Sequence, residues 1–251
     1  MKKIFLLMFV MILTIGSFGC TSQRVIVKGS GEVQNKEDFT VAEYKADNKE
    51  IASISTASGS TLIAYSNLNG YENWLLSGRA YMCTGEAAII RGKKIGLSES
   101  YCRIYQNGSR ENKTGFTLTN IEVLDVYDGE RIKKDQTSLK KGDIITVYEE
   151  QYLTTDENGN NIIQYNYESI WNPIFDDTEY ILYLSRIEDG FEYRGATLNN
   201  VWLPGPDMFV LDDKTKNIKS KDDAKNLAKE ESKYFCMSPK LYPVVIEKYG
   251  K

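Results

Sequence analysis

The chain has 251 residues, 31 Lys and Arg against 35 Asp and Glu, a formal net charge of −4, and no histidine. The missing imidazole removes Ser-His-Asp and Cys-His catalysis, His-Glu-x-x-His metalloproteases, and His-ligated zinc, copper or haem. The mild acidity removes any broad attraction for nucleic acid. With 17 Tyr and only 5 Pro, the composition favours strands, and the length suits one fair-sized domain or two small ones.

Lys2 and Lys3 precede an apolar run from Ile4 to Ile15, and Gly16-Ser17-Phe18-Gly19-Cys20 closes it. The run is short for a bilayer span and has the order of a secretory signal. Small residues just before a cysteine resemble the bacterial lipobox, which implies cleavage before Cys20 and lipid on its sulfur. Acyl chains at ~0.8 kcal/mol per buried CH₂ make a stable anchor when two or more are attached. The expectation is a signal peptide over 1–19 and a lipidated tether over 20–38. The mature chain is then held on the outer face of the cell membrane, in the bacterial cell envelope. Cleavage removes two lysines and no acid, so the mature chain is more acidic still. Gly29-Ser30-Gly31 lies in the tether with no strand before it, so it is no phosphate loop.

Residues 39–79 form an N-terminal extension without a clear assignment. Ser and Thr cluster over 53–61, and Trp74-Leu75-Leu76 is the kind of run that closes a short helix. From about Arg79 the pattern becomes β. Residues 80–90 and 95–105 both read as strands, with Gly92-Lys93 as a two-residue turn between them. That register sets Ile90 opposite Ile95, Ala88 opposite Leu97, and Cys83 opposite Cys102. A Cys83–Cys102 disulfide is therefore a candidate in an oxidising compartment, although Glu86 then faces Glu99. No Cys-x-x-Cys spacing exists, so no metal knuckle is expected. Cys236 reads as a buried small hydrophobe.

Thr117–Tyr127 is strand-like, with an apolar phase that slips between Leu118 and Ile121 as a bulged strand does. Asp143–Tyr152 follows the turn Lys141-Gly142. Asp156-Glu157-Asn158-Gly159-Asn160-Asn161 should turn the chain into Ile162–Trp171, with Asn158-Gly159 as its hairpin signal. Tyr148 and Tyr152 share one face of the first strand; Tyr165, Tyr167 and Trp171 share one face of the second. Paired through the turn, these five are the candidate ligand-binding residues, because rigid aromatics with polar tips suit sugar rings and extended peptides. The competing and preferred reading places them inside the barrel or at a contact between barrel and helix. Tyr180–Leu184 is a continuous apolar run suited to a strand buried on both faces. Ser220-Lys-Asp-Asp then opens a capped helix of 12–15 residues, and Pro239 and Pro243 punctuate the tail.

Phe116–Gly129, Leu139–Val147 and Phe175–Leu184 form a series: a strand, a lysine-glycine-aspartate turn, a strand, and then a Tyr-Ile-Leu-rich strand. In that order they resemble a small β-barrel module of extracytoplasmic lipoproteins from low-GC Gram-positive bacteria. That module is similar to the OB-like barrel of the metalloproteinase-inhibitor and netrin type. The resemblance covers roughly residues 80–200 and carries over no functional residue. The inhibitor family acts through a free N-terminal cysteine, which would be lipidated here.

The expected fold class is mainly β, a small antiparallel OB-like barrel over 80–200 with a C-terminal α-helix and tail over 201–251. Glu149-Glu150, Asp176-Asp177, Asp212-Asp213 and Asp222-Asp223 are adjacent acids, and neighbours on a strand face opposite ways, which is poor geometry for a glycosidase pair. Asp156-x-Asn158-Gly159-Asn160 has glycine fourth and Tyr167 twelfth, unlike an EF-hand loop. No catalytic residue, metal or cofactor is expected. The reading is a non-enzymatic binding or protein-interaction lipoprotein, partnered by the membrane through its lipid and by an unknown protein or envelope glycan, with no nucleic acid. The alternative is a polysaccharide-binding or carbohydrate-active surface lipoprotein that uses the aromatic face.

Overall fold

The structure is a computed structural model and describes residues 31–46, 55–57, 86–165, 173–236 and 238–251. Cys20, Cys83, Tyr167 and Trp171 lie outside the described residues, as do the signal peptide and most of 39–79.

In chain order the strands are β1 (Glu32–Val33), β2 (Thr40–Tyr44), β3 (Ser55–Ala57), β4 (Ala87–Asn107), β5 (Arg110–Tyr127) and β6 (Ile144–Glu149). There follow β7 (Gln151–Thr155), β8 (Asn161–Tyr165), β9 (Glu179–Arg186), β10 (Phe191–Tyr193), β11 (Ala196–Asn199) and β12 (Val201–Val210), then helices α1 (Lys221–Glu230) and α2 (Leu241–Tyr249). β4, β5, β6, β12 and β9 pair in that order, and β9 returns to β4, which closes a five-stranded barrel. Numbering the barrel strands by sequence gives 1-2-3-5-4-1, the order of an OB-like barrel. One seam, β6 with β12, is parallel; the rest are antiparallel. Around it lie two small sheets, β1-β11-β10 and β3-β8-β7, and β2 extends the barrel sheet beyond β4.

The barrel follows from alternation. Ala88 and Ile90, Ile121 and Val123, Ile145 and Val147, Leu182 and Leu184, Trp202 and Val210 form one buried cluster with contributions from all five strands. The alternate residues Ile89, Ile181, Tyr183 and Phe209 point outward into a second cluster with Leu241, Tyr242, Val245, Ile246 and Tyr249 of α2. β9 is thus apolar on both faces, which explains the unbroken run at 180–184.

The Gly92-Lys93 turn does not form. β4 runs straight through it, with a register shift between Arg91 and Gly92. A Cβ at Gly92 would meet Ile121 Cγ2 at 2.5 Å, so glycine here permits close approach at a bulge and does not reverse the chain. The reversal comes at Gly108-Ser109, with Gly108 at φ +64° and Asn107 opposite Arg110. Cys102 accordingly lies opposite Gly115 and Thr40, and the register that would have set it against Cys83 is absent. Cys102 is a buried free thiol 3.8 Å from Thr154 Oγ1.

Three boundaries also move. The expected tether is folded from residue 31: Val33 is buried, and Gly31 N–H donates to Thr146 Oγ1 at 2.6 Å. The barrel extends past residue 200, because β12 carries Pro204 and Gly205 within a register shift before Met208. The helix from Ser220 has the expected capping box but spans only Lys221–Glu230; Glu231 is extended and its carboxylate meets Lys214 at 2.7 Å. A second helix, α2, occupies the tail, with Pro243 in its first turn, where proline costs no hydrogen bond.

Candidate functional site

Asp156 builds the expected β7–β8 turn: Oδ1 accepts from Asn158 and Asn160 N–H, Oδ2 accepts from Asn160 Nδ2, and Gly159 stands at φ +83°. The strand before it, however, breaks at Glu150. β6 stays in the barrel and β7 leaves for the small sheet with β8 and β3. Of the five aromatic candidates, the three that are described, Tyr148, Tyr152 and Tyr165, therefore do not share a surface. Tyr148 is 0% exposed and stacks on Phe116, centroids 5.3 Å apart. Tyr152 is 1% exposed and lies over Gly115, where a Cβ would meet its Cγ at 2.6 Å. Tyr165 is half-buried beside Tyr44, Ala46 and Ile163. Tyr148 and Tyr152 are core residues, because a face shared at spacing four needs a continuous strand.

Tyr148 belongs instead to a run of rings across the outer face of β4, β5 and β6. Phe39 meets Tyr101 and Phe116 edge-on, Tyr101 stacks on Phe116 at 4.9 Å, and Tyr148 meets Tyr193 edge-on at 5.4 Å. The chain itself covers this face. The 31–39 segment and the β10–β11 hairpin lie over it, tied by Gln34 N to Thr197 O at 2.9 Å and by Asn35 Nδ2 to Gly195 O at 2.8 Å. Glu150 fastens the hairpin: Tyr193 OH donates to Oε1 at 2.8 Å, and Arg194 Nε and Nη2 donate to Oε2 at 3.1 and 2.8 Å. Burial, and then the Glu150 charge, push the Tyr193 phenol up to about 12.

The covered face ends at an open rim. Phe191 stacks on Tyr193 yet is 37% exposed. Beside it, the β4–β5 hairpin projects as a two-stranded arm: among the described residues, 103–107 and 110–114 pair only with each other. Ile104 and Tyr105 on the arm are 53% and 41% exposed, and Arg103 reaches the turn at Gly195. The arm also carries Arg110 and Lys113 against one acid, Glu111. Of the large hydrophobics exposed among the described residues, only Leu97 and Val244 lie away from this rim. The arm could have been found from Asn107-Gly108, a hairpin signal equal to the one at 158–159.

A different chemistry occupies the barrel interior beneath the arm. On β4, β5 and β6 the inward phase turns polar at Lys94, Ser98, Ser100, Thr117, Thr119 and Glu149, all buried. β7 crosses the opening: Leu153 N–H donates to Ser100 Oγ at 2.6 Å, and Thr117 Oγ1 donates to Gln151 O at 2.8 Å. Glu149 accepts from Thr119 Oγ1, from Gln151 Nε2 at 2.6 Å and from Ile174 N–H at 2.7 Å. Burial nevertheless holds its carboxyl above the ordinary glutamate value, with the three donors and Lys94 opposing. Lys94 Nζ lies 2.5 Å from Asp176 Oδ1 and 5.9 Å above the Tyr44 ring. The pair Lys93-Lys94 reads from the sequence as solvated lysines beside a turn; Lys94 is instead buried, and nothing in the sequence linked it to Glu149 and Asp176, since the three come from separate segments.

Comparison with family models, with curated proteins and with solved structures returns no match, so the fold and these two locations carry the functional argument alone.

Proposed function

We propose that this protein is a membrane-anchored extracytoplasmic lipoprotein, lipidated at Cys20, whose OB-like barrel is a non-catalytic module for binding a protein partner. The observation that carries the binding reading is the rim. Ile104 and Tyr105 are exposed on the first barrel connection and Phe191 on the fourth, and Arg103 brings the two connections together at Gly195, while the aromatic face beside them is sealed. In OB-like barrels the corresponding connections are those that meet ligands. Exposed aromatic and aliphatic side chains on an arm that carries Arg103 and Lys113 favour a partner with an apolar patch and an acidic border. The polysaccharide reading loses support, since two of its five aromatic residues are core.

The test is site-specific photo-crosslinking in a bacterial envelope, with the photoreactive residue at position 104 or, as control, at exposed position 225. A discrete product from position 104 alone is expected. No product from 104, or the same product from both positions, contradicts the reading. The anchor is tested separately: Cys20→Ser should move the chain from the membrane to the soluble fraction.

A further inference from the structure

We propose that Lys94 and Asp176 condense into an intramolecular amide cross-link in the folded chain, with Glu149 as the group that transfers the proton. This is independent of the binding reading. Three observations carry it. First, the Lys94 side chain is 1% exposed, and its Nζ sits 2.5 Å from Asp176 Oδ1, an atom that is itself buried. Second, the approach is not a directed hydrogen bond, and neither atom has any other hydrogen-bond partner. A buried ion pair held for its charge needs its remaining donors and acceptors satisfied; this one leaves the ammonium without them. Third, a fully buried carboxyl, Glu149, reaches the Asp176 segment by accepting from Ile174 N–H at 2.7 Å, and the Lys94 charge opposes the rise that burial gives that carboxyl.

The chemistry balances without a co-reactant. Transfer of a proton from the ammonium to the Asp176 carboxylate gives the neutral amine and the carboxylic acid that condense. Lys94 Nζ attacks Asp176 Cγ, and a C–N bond forms. Glu149 takes a proton from the nitrogen and returns it to the departing oxygen, so the C–O bond breaks, one water leaves and Glu149 ends unchanged. In water two such groups do not condense at a useful rate. Held in contact they have an effective molarity on the order of 10⁵–10⁸ M. The link joins β4 to the segment that enters β9, beside the pairing of Lys93 with Glu179 where the barrel closes.

Peptide mapping of the full chain, denatured and digested with trypsin, tests this whatever the N-terminus carries. The expected result is a branched peptide joining the Lys94 and Asp176 segments, lighter by one water than their sum, with no cleavage after Lys94. Recovery of both segments only as separate linear peptides overturns the proposal. Asp176→Ala should remove the branched species. In a refolding time course Glu149→Gln, its fold checked by circular dichroism, should form the link at least ~100-fold more slowly, the size of a lost general acid-base group; formation at the unaltered rate overturns the role of Glu149. Should that variant not fold, Asp176→Ala and the map of the unaltered chain still decide the matter.

Discussion

The barrel interior has two halves that obey different rules. In one, Ile90, Ile121, Val147, Leu182 and Leu184 pack within a single hydrophobic cluster. In the other, reached along the same strands, Lys94, Ser98, Thr117, Thr119 and Glu149 keep the inward phase but are polar. The first half needs alternation and volume and nothing else. The second needs partners for its donors and acceptors: β7 and Ile174 supply them for Ser100, Thr117 and Glu149, whereas Lys94 Nζ is left without a hydrogen bond. The contrast shows that pleat geometry decides which residues point inward, whereas contacts far apart in sequence decide whether a polar residue there is tolerable.

Substitutions can break this contrast in order of size. Leu182→Ala removes a fully buried side chain from the apolar half and should cost ~2–5 kcal/mol in denaturant unfolding. Gly92→Ala stands where the halves meet. Its new methyl would press on Ile121 Cγ2 at 2.5 Å and Ile90 Cδ1 at 3.2 Å, a cost of about 1–3 kcal/mol by the same measurement. Ser220→Ala, remote from both halves, should cost ~1 kcal/mol through its lost cap. Ile104→Ser on the exposed arm should stay within about 0.5 kcal/mol of the unaltered chain.

The polar half should also respond to pH. Because burial raises the Glu149 carboxyl above 4.5, the folded chain holds that proton more tightly than the unfolded chain does. Its contribution is therefore greatest below 4.5 and is lost as pH rises through the folded-state value. Lys94, Tyr44, Tyr165 and Tyr180 all interact with this carboxyl. Relative to Glu149→Gln, the unaltered chain should lose stability in parallel melts as pH rises above 4.5. A flat difference would place the carboxyl in a more hydrated setting than this one.

Much of the architecture was legible in local signals. Ser220 with Asp223 announced a capped helix, Asn158-Gly159 a hairpin, and the unbroken run at 180–184 a strand buried on both faces. The errors share one cause, a residue read for its local tendency when a distant neighbour decided its role. Gly92 looked like a turn, but Ile121 forbids a side chain there. The barrel was expected to end at residue 200, yet β12 continues to Val210 with an irregularity against β9 between Pro204 and Met208. Tyr148 and Tyr152 looked like partners on one face until the strand broke at Glu150, where Tyr193 and Arg194 hold the carboxylate. Nothing in the sequence near Lys94 points to Asp176, since their meeting depends on the closure of β4 against β9.

The most direct test of the polar half as a site of chemistry is a nuclear magnetic resonance spectrum of the folded chain labelled with ¹⁵N at lysine Nζ. The account predicts one side-chain amide correlation, carrying a single proton, that disappears in Asp176→Ala. A spectrum in which every lysine nitrogen, Lys94 included, remains an ammonium would show that the contact is an ion pair and contradict the account.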